Sequence, residues 1–177
     1  MNTNVTITKD KKYAIYVDAS NILMSIKGKT YDILSILNFL KDKYKQSEKK
    51  YFTGKFFSDV SLYKEIVKLN YNIIYKKIYN ENYKVKANCD VEISHNLTFD
   101  LLMDKDITDI ILVSGDGDFT ALVDFALYSK KKIIVYAGDP ISCSRLYKIR
   151  NDIKLVYLSD LESKFTIEKP PLGTDAV

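Results

Sequence analysis

Carboxylates are the groups in this chain whose spacing could do chemistry. Two acidic segments stand directly after apolar runs. Asp18 closes Tyr13-Ala14-Ile15-Tyr16-Val17 and precedes Ala19-Ser20-Asn21, while Ser114-Gly115-Asp116-Gly117-Asp118-Phe119 closes Ile110-Ile111-Leu112-Val113. Like charges gathered at one rim repel, and carboxylate oxygen is a hard donor, so such a convergence suits a hard divalent cation, Mg²⁺ or Mn²⁺. A bound cation of that kind lowers the pKa of the water it holds. Each residue also has an ordinary reading. Asp18 alone is a turn or helix-capping residue, and Asp118 alone the N-cap of a helix starting at Phe119. Gly115 and Gly117 relax a tight turn as readily as a ligand loop. It is the conjunction of two acidic strand ends that favours the metal site. The single histidine, His95, reads as a surface or capping residue, and Cys89 and Cys143, without C-x-x-C spacing, as small buried residues.

Those carboxylates need strands and helices to hold them. After the run at Tyr13, apolar residues at helical spacing mark a helix over about Tyr31 to Tyr44. Tyr51 to Phe57 reads as a second strand, Leu62, Ile66 and Leu69 as a helix, and Tyr71 to Ile78 as a third strand. A helix is expected from about Cys89 to Met103. Then come the strand at Ile110, a helix through Phe119, Leu122, Val123 and Ala126, and a strand at Ile133 to Tyr136. A short helix from about Ser142 to Lys148 and a strand from Lys154 to Leu158 follow. Near-continuous apolar strands separated by single helices indicate a parallel sheet covered on both faces, a doubly wound α/β sandwich. In such sheets function gathers beyond the carboxyl ends of the strands, where strand order reverses.

Composition agrees with one such domain. The chain has 177 residues, 46% apolar and 28% charged, the make-up of a folded globular protein rather than a disordered or fibrous one. The expected organisation is a polar N-terminal segment over 1–12, a domain over 13–163 and a loose C-terminal tail over 164–177. No apolar run is long enough to span a bilayer, so no membrane partner is expected. The polar start, without a signal-type apolar stretch, makes the cytoplasm the expected location. A balance of 27 basic against 23 acidic residues gives +4, too mild an excess to identify a partner by itself.

At this level the chain resembles the NYN domain, within the PIN-like nucleases that include LabA-type proteins. The likeness rests on Val17-Asp18-Ala19-Ser20-Asn21, on Asp90 opening a helix, and on Leu112-Val113-Ser114-Gly115-Asp116-Gly117-Asp118-Phe119. It implies a PIN-like sheet with strand order 3-2-1-4-5, seating Asp18 beside Asp116 and Asp118. It further implies a metal-dependent ribonuclease whose catalytic and metal-binding set is Asp18, Asp90, Asp116 and Asp118. Asn21 and Ser114 match positions that support the carboxylates or contact phosphate. Two features depart from the family pattern. Lys86-Ala87-Asn88-Cys89-Asp90 is one residue longer than the usual Lys-Gly-x-Asp and lacks its glycine, and Asn96 stands where a second Asp is common.

Near Asp90, tyrosines alternate with cations in Tyr75-Lys76-Lys77-Ile78-Tyr79 and Tyr83-Lys84-Val85-Lys86. Lysines neutralise phosphates and tyrosines stack on unpaired bases, so Lys76, Lys77, Lys84 and Lys86 are the expected RNA contacts. The bland alternative is a solvated loop. The expected function is a divalent-metal-dependent ribonuclease, with RNA as partner and a homo-oligomer or targeting protein as a further possibility. The alternative is an RNA-binding or protein-interaction module of the same fold with weak or no nuclease activity. A phosphate-binding protein using the Gly115 loop is the weaker third, because Asp116 and Asp118 repel a bare phosphate.

Overall fold

The computed structural model describes residues 11–54, 59–76 and 88–165. The expected N-terminal segment up to residue 10, Lys77, Lys84, Lys86 and the tail from residue 166 onward lie outside the described residues.

Successive side chains of a strand point to opposite faces, and here both faces are apolar. In β1 (Lys12–Asp18), Ile15 and Val17 join one core while Ala14 and Tyr16 join the other. In β4 (Ile107–Val113), Ile111 and Val113 go to the first, Ile110 and Leu112 to the second. Both strands are therefore central, and burying each such side chain contributes on the order of 2 kcal/mol. With β2 (Ser47–Gly54), β3 (Asn72–Lys76), β5 (Lys132–Ala137) and β6 (Lys154–Tyr157) they form one parallel sheet in the order 3-2-1-4-5-6. The expected order 3-2-1-4-5 is present, and β6 extends it beside β5.

Helices cover both faces. The first core takes side chains from α1 (Ala19–Ser25), α2 (Ile33–Lys43), α3 (Val60–Lys68) and α7 (Glu162–Phe165). The second takes them from α4 (Asp90–Met103), α5 (Thr120–Tyr128) and α6 (Arg145–Lys148).

Three differences from the sequence expectation have physical reasons. The segment after Asp18 is a helix, α1, not only a turn, because the Asp18 carboxylate caps it by accepting the Asn21 N–H. Strand β2 starts at Ser47 rather than Tyr51, since its polar first half is held by backbone pairing, Tyr13 opposite Ser47 through Asp18 opposite Phe52. Packing also runs past residue 163. Phe165 is buried, its ring 5.0 Å from that of Tyr31 and 5.4 Å from that of Phe39.

Candidate functional site

Strand order reverses between β1 and β4, the place where an α/β sheet opens a crevice at its carboxyl rim. The register puts Val17 opposite Val113, so the residues that follow, Asp18 and Ser114, leave the sheet side by side. Asp18 is 2% exposed and its oxygens are engaged. Oδ1 accepts from the Ser20 hydroxyl at 2.9 Å and the Asn21 N–H at 3.2 Å, and Oδ2 accepts from the Ser114 hydroxyl at 3.1 Å. Burial pushes this carboxyl above the ordinary carboxylate range; the three hydrogen bonds oppose that shift, and the charge of Asp90 adds to it.

The loop after β4 is tied down from two sides. Asn21 Oδ1 accepts the Gly115 N–H at 2.9 Å, and the Ser114 hydroxyl oxygen accepts the Asp116 N–H at 3.2 Å. Asn21 and Ser114 thus brace the loop that carries the carboxylates. Asp116 Oδ1 in turn accepts the Asp118 N–H at 3.1 Å, capping a 3-10 turn, Gly117–Phe119, that feeds α5. From beneath, the Ser144 N–H donates to the Gly115 carbonyl at 2.9 Å. A Cβ on Gly117 would lie 2.4 Å from Ser144 Oγ, so this turn sits directly on the segment before α6 and only glycine allows the approach.

Asp90 arrives from a third direction. It is the first residue of α4, whose start is set by Asn88 Oδ1 accepting the Asp90 N–H at 2.9 Å. Because α4 carries the chain from β3 back to the start of β4, its first turn lies at the carboxyl rim. Asp90, Asp116 and Asp118 each present a carboxylate oxygen there, all within 4.8 Å of one another. The first two residues are half-buried and Asp118 is exposed. Asp18 stands outside this set of mutually close oxygens. Of the four expected carboxylates, three converge and the fourth holds the loop beside them. Among the described residues no cation pairs with the three, and their all-oxygen donor set fits a hard divalent ion.

Two further groups shape the surroundings. The Lys76 ammonium, expected on RNA, lies against the Asn88 carbonyl and 3.4 Å from the Glu92 carboxylate, strapping the end of β3 to the start of α4. On the sheet face under α4, a network the sequence reading missed joins Lys50, Asp100 and Tyr16. Lys50 pairs with Asp100 at 2.5 Å, and Tyr16 donates to the same carboxylate at 2.6 Å. Asn96 accepts from Lys50 at 3.4 Å, so the position where a second family Asp is common belongs here to the helix–sheet contact. Nothing local marks such a network in a sequence, since Lys50 and Asp100 meet only through the fold. His95 is exposed, and Cys89 and Cys143 are buried. Burial pushes the Cys89 thiol up to about 12, which makes it a poor nucleophile.

Comparison with known proteins agrees with this architecture. The family model described as NYN domain matches residues 12–150. No curated protein matches the chain. Among solved structures, the chain is similar to the crystal structure of a protein of unknown function from Vibrio parahaemolyticus. The TM-score is 0.67 at 21% identity, covering 88% of this chain and 96% of that one. At that identity the likeness speaks for the fold alone. Among the described residues no helix is long and apolar enough to cross a membrane.

Proposed function

We propose, from the premise that this chain belongs to the NYN domain family, that it is a divalent-metal-dependent ribonuclease acting at the carboxyl rim of its sheet. The observation that carries the reading is the meeting of Asp90, Asp116 and Asp118 within 4.8 Å, from two separately anchored segments, the start of α4 and the turn after β4. These three would hold Mg²⁺ or Mn²⁺, which when bound supplies an activated water and neutralises charge on the scissile phosphate. Asp18 contributes from behind: it fixes the Ser114 hydroxyl, and through it the Asp116 backbone, while its charge adds to the negative potential at Asp90. Asn21 holds Gly115 so that the two loops stay in register. Attack by water rather than by the ribose 2′-hydroxyl would leave a 5′-phosphate and a 3′-hydroxyl.

The test is cleavage of an end-labelled RNA with Mn²⁺, with EDTA, and with Asp116→Asn. Loss of one ligand should cost about a hundredfold or more in rate, with an unchanged circular-dichroism spectrum. Activity undiminished in EDTA, or a variant as active as the parent, overturns the nuclease reading. RNA binding without Mn²⁺-dependent cleavage supports the alternative of a binding module, which the separation of Asp18 from the other carboxylates favours.

A further inference from the structure

The solvent side of α4 is apolar, where a helix covering a sheet is ordinarily polar. Val91, Phe99 and Leu102 are exposed to 73%, 53% and 56%. His95 is exposed as well. The spacing of four, four and three residues aligns them in one stripe along the helix. The rings of His95 and Phe99 lie 6.3 Å apart and only 24° from parallel, a stepped pair of aromatic faces open to solvent. The stripe begins at the acidic centre: Asp90, Ser94, His95, Thr98 and Phe99 line one groove, and Asp90 also belongs to the set of converging carboxylates.

Resting on the nuclease reading, we propose that this face of α4 is the track on which unpaired bases of the RNA strand stack as it leaves the carboxylates. The occupant follows from the shared residue. Whatever fills the groove is continuous with whatever binds at Asp90, and a protein seated there permanently would cover that carboxylate. At about 1.5 Å rise per residue, His95 lies about 7 Å and Phe99 about 13 Å along the axis from Asp90. Those distances match the first and second nucleotides of an extended strand counted from the reacting phosphate. None of the groove residues is a lysine or arginine, so the track offers mainly ring faces to bases rather than fixed charge to phosphates. Stacking of that kind tolerates any base sequence, and a duplex, whose base faces are covered, gains nothing from it. Ser94 and Thr98 add hydroxyls between the rings for base edges or the 2′-hydroxyl.

The experiment is binding of a short unstructured RNA in Ca²⁺, a hard divalent cation that can seat the phosphate at the carboxylates, by fluorescence anisotropy, to the parent protein, His95→Ala and Phe99→Ala. Both side chains are exposed, so melting temperatures should not move. Each variant should bind about tenfold more weakly. An RNA made abasic at the second nucleotide should show the same loss with the parent and no further loss with Phe99→Ala. Equal affinities across the three proteins overturn the proposal. So does a parent that sediments as a dimer and a Phe99→Ala monomer of unchanged RNA affinity, which would make the stripe an interface between copies. Cleavage of the same RNA by the parent in Mn²⁺ separately reports on the nuclease reading, so the two can fail independently.

Discussion

Asp18 and Asp116 end neighbouring strands, yet they are opposite kinds of carboxylate. Asp18 is sealed: 2% exposed, with three donors on its two oxygens from Ser20, Asn21 and Ser114. Asp116 spends one oxygen on the Asp118 N–H, is only half-buried, and meets the carboxylates of Asp90 and Asp118. The residue type is the same, as is the rim of the sheet. Burial and the number of protein donors decide which carboxylate builds the site and which remain available to a ligand. A saturated carboxylate is architecture; an under-used one among like charges invites a cation.

The largest stability effect should therefore follow from the sealed partner. Asp18→Ala removes the cap of α1 and strands the Asn21 N–H and the Ser114 hydroxyl, and should cost about 2–3 kcal/mol in urea unfolding, with or without metal. A cost no larger than that of Asp116→Ala would erase the distinction between the two strand ends. Next comes the seat of the second loop. Gly117→Ala drives a Cβ to 2.4 Å from Ser144 Oγ and should cost about 1–2 kcal/mol. Adding Ser144→Ala relieves the closest contact and should recover part of it; no recovery would mean that the turn is not held by that seat. The smallest effect carries the sharpest sign. In EDTA, Asp116→Asn relieves repulsion and should be neutral or stabilising by up to about 1 kcal/mol, whereas saturating Mn²⁺ should stabilise the parent alone and reverse the order. Melting curves that shift in parallel under both conditions would show that the open carboxylates share no cation.

Sequence reading succeeded where burial on both faces writes itself into the chain. Ile110-Ile111-Leu112-Val113 and Tyr13 to Val17 are legible because alternate residues feed two cores. The acids that end them are legible for the same reason, as abrupt stops. The first half of β2 was illegible, because Ser47 to Lys50 is polar and is kept in the sheet by backbone pairing with β1. Lys50 shows why: its charge is absorbed by Asp100, 50 residues further along the chain. Helix α1 was hidden by Ala19-Ser20-Asn21, which favours a turn until the Asp18 cap is seen. Asp90 was accessible through its place in the family pattern and at the start of a helix, but its meeting with Asp116 depends on how α4 crosses the sheet. Lys76 has the charge and neighbourhood expected of an RNA contact, and at the end of β3 it also holds Asn88 and Glu92.

The bond from Ser114 to Asp18 spans 96 residues and that from Gly115 to Asn21 spans 94. A chain made from its N-terminus completes β1, β2 and β3 long before β4 exists, although β4 is the strand that must lie against β1. Until residue 113 has been synthesised, one edge of β1 stays bare and Asp90 has no Asp116 to meet. The growing polypeptide thus lacks the gathered carboxylates, which come together only when the central strand inserts. That insertion closes a long loop, which makes it a slow step of folding and the interval in which the exposed edge is open to wrong pairing.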